Sequence, residues 1–335
     1  MRMNGPDRRL SVAPMMDCTD RHCRYFLRQI TRRTLLYSEM VTADAVRYGD
    51  RAKLLGFDPI EHPVALQLGG CDPEALAEAA AIGEAWGYDE INLNVGCPSD
   101  RVQNARFGAA LMAEPELVAR CVAAMRERVS VPVTVKTRIG IDHQDTAEFL
   151  RHFVDTVADA GCRSFTIHAR KAWLRGLSPK ENREKPPLIH DRAYALKRAR
   201  PDLEIVLNGG IDSLDGVRDA LNNGLDGAML GRAAYHTPWV LAGADAAIWG
   251  EPATPPTRAQ VVEAMMAYAA RLRAQGLPIR MVTRHMMGLC AGLPGARKWR
   301  QHLSEVARRD DAGPDEIANA FAKVRDPDAP AAAAA

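Results

Sequence analysis

A chain of 335 residues, 47% hydrophobic and 26% charged with a formal net charge of +2, has the make-up of a soluble globular protein that can bury a large core. That length suits one large barrel with a small appendage, or two ordinary domains. Its seven cysteines (Cys18, Cys23, Cys71, Cys97, Cys121, Cys162 and Cys290) form no CxxC pair and no cluster with histidine, which argues for reduced thiols in a cytoplasm and against a metal site. No apolar run near the N-terminus reads as a signal peptide, and none is long enough to span a membrane.

In chain order one unit recurs. Residues 10–16 (LSVAPMM) read as a short apolar strand ending at Pro14, and Asp17-Cys18-Thr19-Asp20 gives a start signal for a helix over 21–31. A strand follows at 35–40 and another at 62–70, the latter closed by two glycines, with 43–55 able to form a helix between them. Asp72-Pro73 sets proline at the first position of an alanine-rich helix reaching Trp86. The central stretch 89–112 (DEINLNVGCPSDRVQNARFGAALM) opens as a strand, then breaks at Gly96 and presents Cys97-Pro98. Helices over 115–129, 146–160, 193–200 and 213–222 alternate with strands at 131–140, 163–170, 203–210 and 227–232. Eight strands, centred on Val12, Leu36, Ala65, Leu93, Val135, Ile167, Val206 and Met229, within roughly 230 residues predict an α/β fold, a (β/α)8 TIM barrel. A proline-rich linker at 250–256 then leads to helices at 257–275, 279–289, 296–308 and 315–324, a small C-terminal helical bundle. Residues 1–250 are expected to form the barrel domain, 257–325 the helical domain, and 326–335 a disordered tail.

In a TIM barrel the active site lies at the carboxyl ends of the strands. Those ends carry Pro14 and Met15, Glu39, Gln67, Asn94 and Cys97, Lys136 and Arg138, His168 and Arg170, Asn208-Gly209-Gly210, and Gly231-Arg232. Each has a plain alternative: Cys97 as a small buried thiol, Gln67 as a partner for loop backbone, His168 as an interior histidine. Lys136 is harder to dismiss, because an unpaired buried ammonium is costly. Glycine turns after the seventh and eighth strands occupy the position where many TIM barrels bind phosphate. No GxGxxG or GxxxxGK[ST] is present.

The segments APMMDCTDRHCRYFLR, HPVALQLGG, DEINLNVGCPSDRVQNARFGAALM, VPVTVKTRIGID, HARKAWLRGLSPKENREKPPL, NGGI, LGRAAY and PGARKWRQHLSE together resemble the tRNA-dihydrouridine synthases, and most closely the synthase A branch that acts on D-loop uridines 20 and 20a. The likeness implies an FMN-binding TIM barrel with a small helical tRNA-binding domain. It also implies an oxidoreductase that converts uridine to 5,6-dihydrouridine with NADPH, rather than NADH, as reductant. By this resemblance Pro14, Met15, Met16 and Gln67 hold the flavin, with Lys136 near its pyrimidine portion. His168, Asn208, Gly209, Gly210, Gly231 and Arg232 surround the phosphate. Hydride passes to C6 of the uracil and Cys97 gives the proton to C5; an ordinary thiol carries its proton at neutral pH, as a donor must. Asn94 and Arg138 are candidates to hold the uracil, which must leave its stack to reach a flavin. Cys18 departs from the family pattern after Met-Met-Asp, which bears on packing beside the flavin.

Charge distribution independently suggests a polyanionic partner. Residues 170–200 hold ten Lys or Arg against three acids, and residues 264–304 hold seven basic residues and no acid. Lys180 and Arg183 in the first segment and Arg297 and Arg300 in the second are the expected tRNA contacts, the alternative being solvated helix faces. Trp173 and Trp299 lie within these runs, where each can stack on a base or serve packing. A monomer is expected. Two rival readings are a flavin enzyme of the same barrel acting on a small molecule, and a non-catalytic RNA-binding protein.

Overall fold

A computed structural model describes residues 5–99, 107–251 and 254–327. Part of the central motif (100–106), part of the proline-rich linker (252–253) and most of the expected tail (328–335) lie outside the described residues.

Eight parallel strands close into a barrel in sequence order. They are β1 (Leu10–Val12), β2 (Leu35–Thr42), β3 (Val64–Gly69), β4 (Glu90–Val95), β5 (Val133–Arg138), β6 (Ser164–His168), β7 (Glu204–Asn208) and β8 (Gly227–Leu230). The last strand returns to the first, with Leu10 opposite Ala228 and Val12 opposite Leu230. This is the (β/α)8 architecture expected from the eight-strand pattern.

Side chains satisfy free N–H groups in the first turns of several, though not all, of the helices that fill the connections between strands. These helices include α1 (Arg21–Arg28), α2 (Ala43–Tyr48), α3 (Arg51–Leu55), α4 (Pro73–Ala85), α5 (Pro115–Arg128), α6 (Ala147–Asp159), α7 (Asp191–Ala199) and α8 (Leu214–Asn222). Asp72 accepts from Ala75 N ahead of α4, and Thr146 from Phe149 N ahead of α6. The single helix expected over 43–55 is instead two. The break falls at Gly49, where a Cβ would lie 2.6 Å from the Ala45 carbonyl oxygen, and Asp50 restarts the chain by capping Lys53 N.

Both faces of the strands are buried, so alternation assigns a lumen face and a helix-facing face. Ile91 faces the helices: a Cβ on Gly83 of α4 would lie 2.9 Å from Ile91 and 2.6 Å from Leu66. Glu90, Asn92 and Asn94 therefore face the lumen. Also in the lumen, Ala13, Leu35, Tyr37, Ala65, Val206 and Met229 form an apolar cluster.

The described chain divides into two compact units. The first contains the barrel, and the second comprises Cys18–Arg33, Asp212–Leu214 and the chain from Arg232 onward. The second unit thus takes in α1 together with α9 (Arg232–His236), α10 (Ala244–Trp249), α11 (Arg258–Ala274), α12 (Arg280–Met286), α13 (Ala296–Val306) and α14 (Asp315–Phe321). Within it Tyr25 of α1 stacks on Tyr268 of α11 at 3.9 Å between ring centroids, and the adjacent His22 Nδ1 lies 2.7 Å from the Tyr268 hydroxyl. Asp245 caps the end of the α1 segment by accepting from Thr31 Oγ1, Arg32 N and Arg33 N. Trp299 is fully buried in this unit and donates to the Met286 carbonyl at 3.1 Å. Of the two roles open to it in the sequence, packing is the one it fills.

Candidate active site

Strand register brings the sequence candidates to the same end of the barrel, in two adjacent rows. Asn94 stands opposite Lys136, Arg138 opposite His168, and His168 opposite Asn208. These pairings run around the carboxyl ends of β4 to β7.

The Cys97 turn is tied down from both sides. Asn94 Oδ1 accepts the Gly96 and Cys97 backbone N–H groups at 3.0 and 2.9 Å, forming a side-chain turn over the glycine. The Cys97 carbonyl accepts Ala109 N at 2.9 Å, and its thiol, partly exposed, lies 3.5 Å from Ser99 Oγ. Arg138 is 4% exposed and directs its guanidinium at loop carbonyls. Its Nε donates to Gly96 at 2.8 Å, and its Nη1 donates to Lys171 at 3.0 Å and Asn182 at 3.1 Å. Arg138 thereby clamps the β4 turn to the loop after β6. That loop has its own anchor, the fully buried Asn182, whose side chain bonds the backbone of Trp173 and Leu177.

The electrostatics of this end are those of an anion site. Lys136 has no hydrogen-bond partner among the described residues, and burial, reinforced by Arg138, lowers its pKa to about 7. Burial, with Arg138 and Lys136 beside it, holds His168 well below the ordinary imidazole range, and its Nδ1 is buried without a hydrogen-bond partner among the described residues. Burial also lowers Arg138 to about 10. At the end of β7, Asn208 Nδ2 donates to the Met229 carbonyl, and Gly209 and Gly210 adopt φ of +102° and +76°. His190 Nε2 donates to the Gly209 carbonyl at 2.8 Å. A Cβ on Gly231 would meet nothing within 4 Å. Positive φ at two successive glycines, open space at a third and an unpartnered imidazole nitrogen beside them fit a phosphate-bearing ligand, with the Lys136 ammonium two residues along β5 from Arg138.

The remaining candidates are more scattered. Pro14 and Met15 are half-buried after β1, with Met15 packed against the lumen cluster, while Met16 is 54% exposed. Gln67 is buried and bonded to Asn92 and Asn94. Arg232 opens α9 and belongs to the second unit. Lys180 and Arg183 are exposed on the loop after β6, and Arg297 and Arg300 are exposed on α13. Sequence reasoning did not single out Asn92, Glu90, Thr134, Asn182 or His190. Only Asn92 had a local signal, as the polar partner of Asn94 in an apolar strand.

A family model described as dihydrouridine synthase matches residues 11–325. The chain belongs to the dihydrouridine synthase family. It is 57% identical over 317 residues to the tRNA-dihydrouridine(20/20a) synthase of Vibrio cholerae, covering 94% of this chain and 96% of the relative. The enzyme of the same name from Escherichia coli strain K12 is 56% identical over 319 residues, covering 95% and 92%. That of Synechocystis is 55% identical over 312 residues, covering 93% of each. Among solved structures, a 2-naphthoyl-CoA reductase complex matches with a TM-score of 0.54 at 12% identity, over 73% of this chain and 50% of that one. That likeness concerns the fold alone.

Proposed function

We propose that this member of the dihydrouridine synthase family reduces uridine to 5,6-dihydrouridine in the D-loop of tRNA, at positions 20 and 20a. FMN is the flavin, and NADPH is preferred over NADH. The carrying observation is the near-full-length identity to 20/20a synthases, joined by a partly exposed Cys97 on the same barrel end as Lys136 and His168.

The residues at that end suit FMN. Backbone N–H groups of Gly209 and Gly210, the side chain of His168 and the space at Gly231 would take its phosphate, with Arg232 following in the chain. Lys136 and Gln67 would meet the ring system, with Pro14, Met15 and Met16 along one edge. When bound and reduced, the flavin supplies the hydride for C6 of the uracil. Cys97 supplies the other half of the reduction: its S–H bond breaks as C5–H forms, and the thiolate regains a proton from solvent. Asn94 holds the backbone of the Cys97 turn and offers N–H to the base. Arg138 contributes by fixing the two loops that flank the thiol.

The barrel unit carries catalysis and the C-terminal helices carry tRNA, with Lys180 and Arg183 contributing from the barrel and Arg297 and Arg300 from α13. The enzyme works as a cytoplasmic monomer. The decisive test incubates purified protein with FMN, NADPH and tRNA lacking dihydrouridine, and maps the product by mass spectrometry. A gain of two hydrogens on D-loop uridines 20 and 20a is expected. A protein that binds flavin and oxidises NADPH but leaves those uridines unchanged would overturn the assignment.

A further inference from the structure

A hydrogen-bond chain runs up the barrel lumen to the Cys97 turn, and its lower members, Arg8, Glu90, Tyr37, Thr134 and Asn92, have no part in the chemistry above. At the strand-start end, Arg8 donates through Nε to Glu90 Oε2 at 2.7 Å and through Nη1 to Glu204 Oε2 at 2.9 Å. Glu90 Oε1 accepts from the Tyr37 hydroxyl at 2.7 Å and from Thr134 Oγ1 at 2.5 Å. Thr134 in turn accepts from Asn92 Nδ2, Asn92 Oδ1 from Gln67 Nε2, and Gln67 Oε1 from Asn94 Nδ2, each at 2.8 Å. Asn94 Oδ1 ends the series on the Gly96 and Cys97 N–H groups. Arg8, Tyr37, Gln67, Glu90, Asn92 and Thr134 are each at most 3% exposed.

The two ends of this chain compel one direction. A carboxylate only accepts and a backbone N–H only donates. With its single proton given to Glu90, Thr134 presents oxygen to Asn92. Asn92 must then turn its NH2 to Thr134 and its oxygen to Gln67, and the same logic passes to Gln67 and Asn94. Reversing any one amide would leave buried groups unsatisfied on both of its sides, which is costly in a low-dielectric interior. The direction also occupies both acceptor positions of Asn94 Oδ1, so Asn94 has only N–H left to offer a ligand.

We propose that Glu90, acting through Thr134 and Asn92, is a positioning residue that sets the amide orientation of Gln67 and Asn94 and so holds the Cys97 turn. The inference rests on the reading of Cys97 as proton donor for its consequence in catalysis, but its geometry can be tested apart from turnover.

Thr134→Val and Thr134→Ser in the full-length protein separate this role from packing. Val keeps the shape of Thr and loses the hydroxyl, whereas Ser keeps the hydroxyl and leaves a methyl-sized gap. Residue-resolved amide hydrogen exchange, in flavin-free and flavin-loaded protein, should show Gly96 and Cys97 exchanging about five- to tenfold faster in Thr134→Val, as removal of one hydrogen bond implies. Thr134→Ser should match the parent, and kcat for dihydrouridine formation should follow the same order with KM for tRNA unchanged. Faster exchange in Ser than in Val, or equal exchange in both, would overturn the proposal. Should Thr134→Val fail to fold, Glu90→Gln replaces it: an amide there can donate as well as accept, which releases the direction, and unchanged exchange at Gly96 and Cys97 would overturn the proposal. Failure of the functional reading would show separately, as absence of dihydrouridine formation by the parent protein.

Discussion

Among the described residues no counter-charge is bonded to Lys136, and its lowered pKa of about 7 has two consequences of opposite sign. In the ligand-free protein the unfolded chain holds the proton up to an ordinary lysine pKa of about 10.4, while the folded chain releases it from about pH 7. The unfolded state therefore binds more protons across that window, and stability should rise with pH through it. Lys136→Met should flatten this rise in urea denaturation between pH 7 and 10. Flavin binding runs the other way, because an anionic ligand favours the charged lysine. FMN affinity should weaken above pH 7, beyond the second phosphate pKa of about 6, and Lys136→Met should bind weakly with little pH dependence, read by flavin fluorescence quenching. At Cys97, Ala should keep flavin and lose roughly 10²–10⁴-fold in dihydrouridine formation, the range for removing one general acid. Unchanged turnover would leave the thiol a packing role. Cys97, Lys136 and His168 were legible because each interrupts an apolar strand end. Glu90, Thr134 and Arg8 were not: Arg8 and Glu90 are 82 positions apart, and Arg8 sits in a polar N-terminal run whose composition reads as surface.

Among the elements, β4 shows what periodicity settles and what it leaves open. Alternation of Ile91, Leu93 and Val95 with Asn92 and Asn94 marks a strand. It does not say which set faces the lumen, because helices cover one face and the barrel encloses the other. The lumen side of β4 is polar, so the usual link between apolar residues and core orientation does not apply there. The clamp at the end of β5 belongs to this scale as well. Arg138→Met should leave carbonyls of Gly96, Lys171 and Asn182 without their donor and cost about 3 kcal/mol of stability in urea denaturation. A cost below about 1 kcal/mol would show that other groups or water replace it. On α13, Arg297, Lys298 and Arg300 are exposed while Trp299 faces inward, so the basic side chains form a face with no ion pair among the described residues. By contrast, Arg280 and Arg284 of the same basic segment are paired with Asp310 and Asp20. Replacing Arg297 and Arg300 together by Ala should raise the Kd for tRNA and lower the log–log salt slope by about one unit for every phosphate that the helix no longer neutralises, with FMN content unchanged. Anisotropy titrations across a salt series would show an unaltered slope if this helix does not meet RNA.

For the whole molecule, the division into units was the least legible property. The proline-rich run at 250–256 suggests a boundary, yet the second unit reaches back to α1 and to the two short helices after β8. Nothing local in the composition of Arg21–Arg28 announces this, because Phe26 and Leu27 would be buried in either unit. A protein ending at Gly250 would uncover the side of α1 that Tyr268 stacks upon. Such a truncation should expose apolar surface, bind a hydrophobic dye and aggregate during purification, whereas the full chain should not. A soluble, dye-negative truncation would mean that the barrel unit can rebury α1 unaided.

The distant origin of the α1 partners also sets a clock. His22 and Tyr268 are 246 positions apart, and at a synthesis rate of about 5–20 residues per second α1 leaves the ribosome roughly 12–50 s before α11. During that interval the strands of the barrel emerge one after another and can pair with a neighbour already present. Helix α1, though among the first elements made, is completed only near the end of translation. Slowing elongation late in the message would lengthen its wait without delaying barrel closure, so yield in the cell should depend more on the pace of the last hundred codons than on that of the first.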